Sequence, residues 1–286
     1  MLNDPDLLSQ IESLHDKIAH MAAKTSKPDQ KERAQYAADY MAALAATASA
    51  RAPVFGIEPW HPLDSGITDA PGEMLLRVKD VNGKALSPYP AVMIFYHNGF
   101  TTELDTILCL CALAQYRMGA DKKVSINISG RSLQDPHFVK HVLTKMETLD
   151  LGGDRGIIFE IHESNAVVKL NPKTLALFKK FGVEFAMDDV GLSMNDVFRL
   201  SSFENIADYI KLDRASVSAH PEDPRSLKHI LSLARSLLPH AAMVAEGIRS
   251  AEHACDIRAI HPDIKYVQGM HLPGRDTFRT QWAALE

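Results

Sequence analysis

A succession of short apolar runs in this chain is closed by polar residues: Glu73, Asn127, Glu160, the pair Asp188–Asp189, Lys211 with Asp213, Glu246 and Gln268. Helix-like stretches separate the runs. Strands that alternate with helices build a parallel sheet. The C-terminal strand ends of such a sheet share one face, where sites form. The acidic members would then converge on one mouth from different strands. Concentrated negative charge is unfavourable unless a cation joins it, and divalent ions with oxygen ligands are the common solution.

Reading along the chain, strands are expected at Val54–Pro59, Glu73–Lys79, Val124–Ile128, Gly156–Ile161, Val183–Met187, Ile206–Leu212, Met243–Ala245 and Ile264–Val267. Helical patterns fall at Thr102–Met118, Asp135–Leu149, Pro172–Phe181, Pro224–Leu238 and Ala251–Ile260, with a turn-rich segment from Pro62 to Gly72. About eight strands is enough for an α/β fold of (β/α)8 barrel type, TIM-like. Before it, Leu7, Leu8, Ile11, Leu14, Ile18 and Met21 recur at helical spacing behind Asp4–Pro5, and an Ala-rich stretch runs from Lys31 to Ala50. These read as a helical hairpin over residues 1–51, ahead of a barrel domain over 52–286. The hairpin either packs against the barrel or offers a dimerisation or partner surface.

Composition narrows the function. At 286 residues and a formal charge of −5, the chain is no general binder of nucleic acid polymers or membrane surfaces. Three cysteines, Cys109, Cys111 and Cys255, fit a reducing compartment rather than a disulfide framework. The start is acidic and broken by Pro5, unlike a signal peptide, and no run reaches membrane-spanning length. A cytoplasmic location is expected.

Seven strings carry a family resemblance. Glu73-Met74-Leu75-Leu76-Arg77 resembles E-A-L-L-R, with Met for Ala, and Val124 to Ser129 resembles V-N-L-S. Phe159 to Ser164 resembles L-E-I-T-E-S, and Met187 to Gly191 resembles L-D-D-F-G. Ile210 to Arg214 resembles I-K-I-D-R, Ala245 to Ile248 resembles A-E-G-V, and Tyr266 to Gly269 resembles Y-V-Q-G. Order and spacing agree from Val54 to Pro273. The whole is similar to the EAL-domain family, whose members hydrolyse the bacterial second messenger cyclic di-GMP. The resemblance implies two divalent cations, Mg²⁺ or Mn²⁺, with ligand roles for Glu73, Asn127, Glu160, Asp188, Asp189 and Glu246. It matches Lys211 to a lysine contacting the attacking water and Gln268 to a glutamine beside the metal-bound water. Asp213 falls in the same surroundings, Arg77 matches a phosphate contact, and Glu163 matches a residue bracing the loop after Asp189. Catalytic roles then fall to Lys211, Glu246 and Asp189. A lysine among carboxylates stays protonated, which makes it an electrostatic stabiliser before a base.

The chain also leaves the family pattern. F-G-T-G-Y-S-S becomes Val190-Gly191-Leu192-Ser193-Met194-Asn195-Asp196, a loop that in the family positions the second metal and contributes to a dimer contact. Glu58–Pro59 replaces a Q-P pair expected at the guanine, His162 replaces a threonine, and Arg249 replaces a glutamate. Gly152-Gly153-Asp154 is similar to a cyclic di-GMP synthase signature, but too few residues precede the barrel for a synthase domain. Two readings follow: a metal-dependent phosphodiesterase giving linear pGpG, or an effector that binds cyclic di-GMP or a protein partner without efficient turnover.

Overall fold

The computed structural model describes residues 2, 4–64, 66–67, 69–119, 122–148, 156–162, 170–191, 194–204, 206–218 and 224–274. Glu163, the Gly152–Asp154 string, and Leu192 and Ser193 of the altered loop lie outside these residues. The chain divides into two compact units. The first joins residues 1–56, 74–120 and 131–150; the second joins 57–73, 121–130 and 151–286.

The first unit is helical. Asp4 caps α1 (Pro5–Lys24) by accepting from the Asp6 N–H, and proline opens both α1 and α2 (Pro28–Ser49), where a missing N–H costs nothing. α1 buries Leu7, Ile11, Leu14 and Ile18, one stripe at 3.6-residue spacing. α2 answers with Ala34, Ala37, Ala38, Met41 and Leu44, small enough along most of the contact for close approach. The hairpin expected at the N-terminus is therefore formed. α3 (Pro88–His97), which the apolar pattern did not reveal, packs on α2 and on α4 (Thr101–Gly119). Its Tyr96 hydroxyl donates to the buried Asp105 at 2.6 Å, and the Ser132 hydroxyl donates to the other Asp105 oxygen at 2.6 Å. Ser132 lies in a 3-10 turn, Ser132–Gln134, just before α5 (Pro136–Met146). Cys109 and Cys111 are buried on α4, and burial pushes both thiols up, Cys111 to about 12, so they act as packing groups.

Among the described residues nine strands form one sheet: β1 (Phe55–Pro59), β2 (His61–Pro62), β3 (Gly72–Leu76), β4 (Val124–Ser129), β5 (Ile157–His162), β6 (Val183–Val190), β7 (Tyr209–Leu212), β8 (Ala242–Ala245) and β9 (Ile264–Val267). Their order is β1-β3-β4-β5-β6-β7-β8-β9-β2. From β3 to β9 each strand pairs in parallel with the next. The two ends of this order, β1 and β2, are separated in sequence only by Trp60. A sheet whose first and last strands are one residue apart has to curl on itself, which gives a nearly closed barrel. The expected α/β TIM-like class holds, with one correction of count. The ninth strand is β2, placed by the sequence reading at the edge of a turn-rich segment. It is two residues long and pairs antiparallel to β9, so it leaves no periodic signal.

The second unit's helices are α6 (Pro172–Lys180), α7 (Met194–Ser202), α8 (Arg214–Ser218), α9 (Pro224–Leu237) and α10 (Ala251–Ile260). α6 packs on β6, and Phe178 meets Phe159 edge-on at 5.2 Å. Phe159 therefore faces the helices. Its neighbours Ile158 and Glu160, by strand alternation, face the barrel interior.

One local conflict is testable. α2 ends in a Schellman turn, with Ala52 N–H donating to Thr47 O and Arg51 N–H to Ala48 O. The left-handed residue is Arg51, at φ 57°, where glycine would be unstrained. Arg51→Gly should raise stability by about 0.5–1 kcal/mol in denaturant titration. A destabilised variant would show that the arginine side chain outweighs the backbone strain.

Candidate metal centre

The interior of the barrel is built in two layers. Trp60, Ile158, Ala186, Tyr209 and Val244 form a buried apolar cluster. Two residues further along four of these strands stand Glu160, Asp188, Lys211 and Glu246. Because side chains in a strand repeat with period two, each polar group sits directly above an apolar one on the same face. Asn127 aligns with Glu160 across β4 and β5, and Glu73 aligns with Ser125 across β3 and β4. Gln268 follows β9, its N–H donating to Ala245 O at 2.9 Å. Every member of this upper layer belongs to the second unit.

Lys211 is its centre and is 1 % exposed. The ammonium donates to Glu160 Oε2 at 2.6 Å and to Glu73 Oε2 at 3.1 Å. It also lies 2.7 Å from Glu246 Oε1 and 3.2 Å from Asp188 Oδ1. Burial alone would lower the Lys211 pKa, but Asp188, Glu160, Glu73 and Glu246 together hold it well above the usual lysine range. Lys211 is therefore a fixed positive charge. Asn127 Nδ2 and Gln268 Nε2 each donate to Glu73, both at 2.7 Å, so their amide oxygens are left for another partner.

Asp188 and Asp189 are consecutive, and a regular strand would turn them to opposite faces. Between Met187 and Val190, β6 advances three residues while β7 advances two, from Ile210 to Leu212. That extra residue is a β-bulge, and within it Asp189 adopts φ 51°, a left-handed conformation that Asp tolerates better than most residues. As a result Asp188, Asp189 and Glu246 offer carboxylate oxygens that all lie within 4.8 Å of one another.

Charge here is out of balance. Five carboxylates, those of Glu73, Glu160, Asp188, Asp189 and Glu246, face one ammonium. Burial, then the Glu73 carboxylate, raise the Glu160 pKa well above the carboxylate range, against the pull of Lys211. Burial pushes Glu246 up to about 8, with Lys211 opposing and Asp188 adding to the rise. Desolvation, Asp188 and Asp213 raise Asp189 to about 6. Glu160 Oε1, Asp188 Oδ1 and Gln268 Oε1 are buried without a hydrogen bond; the Asp188 oxygen is close to Lys211 but not in hydrogen-bonding geometry. Raised acids and unsatisfied buried oxygens together fit an oxygen-lined cation site.

The remaining candidates are placed as follows. Asp213 accepts from the Ala215 N–H at 3.1 Å, opening α8, and stands close enough to Asp189 to raise its pKa. Glu58 is half-buried on β1, with no hydrogen bond to the cluster among the described residues. Arg77 belongs to the first unit; it is exposed and donates to the Leu76 carbonyl at 3.0 Å. Gly269 has to be glycine, since a Cβ there would run into the Ile248 carbonyl, and this tight crossing carries Gln268 to Glu73. Two buried residues that the sequence reading did not single out, Asp196 and Arg199 on α7, grip the bulge. Arg199 Nη2 donates to Asp188 O at 2.6 Å, Arg199 Nη1 donates to Asp196 Oδ1 at 2.8 Å, and the Gly191 N–H donates to Asp196 Oδ2 at 3.3 Å. The only signal was their i, i+3 spacing, which is common on any helix.

Two stability measurements test this electrostatic account. Lys211→Met should destabilise the metal-free protein by about 3–5 kcal/mol at pH 8, because it leaves buried carboxylates unneutralised. That loss should shrink toward pH 5 as they take up protons. Glu246, raised from 4.5 to about 8 on folding, binds its proton more tightly in the folded state. Its contribution to stability is complete below about pH 4.5 and disappears as pH rises through about 8. The melting temperature of wild type relative to Glu246→Gln should therefore fall across that window; a flat difference would refute the shifted acid.

Comparison with known proteins gives a family and a fold. Residues 61–273 match the EAL domain family. No curated protein matches the chain. Among solved structures, the FimX EAL domain from Pseudomonas aeruginosa bound to c-di-GMP superposes with a TM-score of 0.67 at 19 % identity, over 82 % of this chain and 96 % of that one. An EAL domain protein from Listeria monocytogenes EGD-e gives 0.61 at 19 % identity, over 82 % and 93 %. The PaMucR phosphodiesterase in complex with c-di-GMP gives 0.60 at 21 % identity, over 78 % and 95 %. At such identities the likeness establishes the barrel. The family match covers most of the chain, and this protein belongs to the EAL domain family.

Proposed function

We propose that this protein hydrolyses one phosphodiester bond of cyclic di-GMP to give linear pGpG, using two divalent cations, Mg²⁺ or Mn²⁺. The observation that carries the reading is the excess of buried carboxylate over cation around Lys211, with acceptor oxygens left unsatisfied. Family membership supports it, as do EAL-domain neighbours described in complex with c-di-GMP. Glu73, Asn127, Glu160, Asp188, Asp189 and Glu246 would hold the ions, all through oxygen, as hard cations require. Two such ions, when bound, lower the pKa of water and neutralise charge developing on the phosphoryl oxygens.

The chain's own groups have distinct tasks. Lys211 stays protonated, keeps the carboxylates converged and adds positive charge where the phosphoryl group becomes more negative. Glu246 and Asp189, less buried than Glu160 and so at the open side of the cluster, would accept the proton released by the attacking water. Gln268 and Asn127 hold Glu73 in a single orientation. Arg77 binds a ligand phosphate, and Glu58 accepts from the guanine N–H groups. Asp213 supports Asp189, and Glu163 braces the loop that follows. The helices over residues 1–51, ahead of a catalytic domain over 52–286, provide a partner or homodimer surface, and the protein works in the bacterial cytoplasm. Among the described residues no helix is long and apolar enough to cross a membrane.

A second reading, an effector that binds cyclic di-GMP or a protein partner without turnover, draws support from Glu58 and the departure from the family loop after Asp189. One assay separates the two. Purified protein with Mn²⁺ or Mg²⁺ and cyclic di-GMP should release pGpG, followed by chromatography, and Glu73→Ala or Asp188→Asn should reduce the rate by more than about 100-fold. Binding by calorimetry without pGpG would establish the effector instead. Near-full activity in either variant would overturn the site.

A further inference from the structure

The bulge at Asp188–Asp189 has a dedicated anchor. The register with β7 pairs Met187 and Val190 on either side but neither aspartate. At the two unpaired positions Arg199 donates from Nη2 to Asp188 O at 2.6 Å and from Nη1 to Asp189 O at 3.4 Å. Its charge is met by Asp196 at 2.8 Å, and the second Asp196 oxygen accepts from Gly191 at the end of the turn. Asp196 and Arg199 are 3 % and 7 % exposed, so this pair is shielded from water and from salt. Its bonds reach Asp188, Asp189 and Gly191, on both sides of Val190, which pairs with Leu212.

We propose that the Asp196–Arg199 pair is a positioning device for the cation that Asp189 holds. It fixes the left-handed backbone that turns Asp189 toward Glu246 and Asp188, without itself touching ion or substrate. Glu73, Asn127 and Glu160 stand on β3, β4 and β5, whose registers run through these residues without a bulge. Loss of the pair therefore acts on one cation position and spares the other. The effect depends on Arg rather than on charge alone, because a planar fork reaches two carbonyls and a carboxylate at once and an ammonium does not. This inference rests on the proposed two-cation reading and deepens it.

The test is a Mn²⁺ titration of the full-length, metal-free protein, followed by calorimetry and by the electron paramagnetic resonance of bound Mn²⁺. Wild type should bind two ions. Arg199→Lys should keep the tighter ion within about threefold and weaken the other by about 10–100-fold, the usual cost of losing a residue that orients a metal ligand. Asp196→Asn keeps an oxygen for Gly191 but removes the countercharge, and should weaken the same ion to a smaller extent. It carries the test if Arg199→Lys melts early. Two ions at unchanged affinity in the variants, or equal weakening of both ions, would overturn the positioning role alone. A wild type that binds no Mn²⁺ would overturn the proposed function, and this inference with it.

Discussion

The site depends on one buried ammonium. Lys211 is the group that lets carboxylates from β3, β5, β6 and the end of β8 approach within hydrogen-bonding distance of a common point. In a low-dielectric interior, carboxylates at such separations repel one another strongly. Lys211 relieves part of that repulsion but not all of it, as the raised acids Glu160, Glu246 and Asp189 record. The cluster is therefore under electrostatic tension without a divalent ion. A protein built only for stability would have filled these positions with apolar side chains.

What supports this tension is the apolar layer beneath it. Ile158, Ala186, Tyr209 and Val244 pack with Trp60 to close the barrel, and the next inward position on each strand carries the charge. Trp60 has two parts to play. It packs against Tyr209 at 5.2 Å, and it joins the two strands at the ends of the sheet order. The lower half of the barrel is a stable floor, which leaves the upper half free to be polar and strained. Even the strain has local contacts, since Arg199 donates to the carbonyls of both aspartates in the β6 bulge and is itself paired with Asp196.

Much of this was legible in the sequence because regular strands and helices leave periodic traces. All eight expected strands are present, with ends shifted by a few residues, and the polar residues that close them are the ones that converge. Most of what escaped notice had no period to read; the amphipathic α7 escaped because its first residues read as part of an altered loop. β2 is two residues long, and α8 is five. α3 is apolar on most of its surface, so no stripe marks it. The segment after Asp189 reads as a departure from a familiar loop; its buried Asp196–Arg199 pair could not be told from an ordinary surface pair at i, i+3, because burial is a property of the fold.

The sequence by itself determined which chemical groups end the strands and that they would share one face, because alternation with helices forces the strands to run parallel. It determined, too, that the acids outnumber the bases at that face. The tertiary structure alone decided which of them touch. It brought Lys211 against four carboxylates, left Glu160, Asp188 and Gln268 with unsatisfied oxygens, and turned Asp189 out of strand alternation to join Asp188 and Glu246. The reason is physical. Strand order and alternation are local consequences of side-chain pattern, whereas distances between residues more than a hundred positions apart are set only when the sheet closes and its core packs.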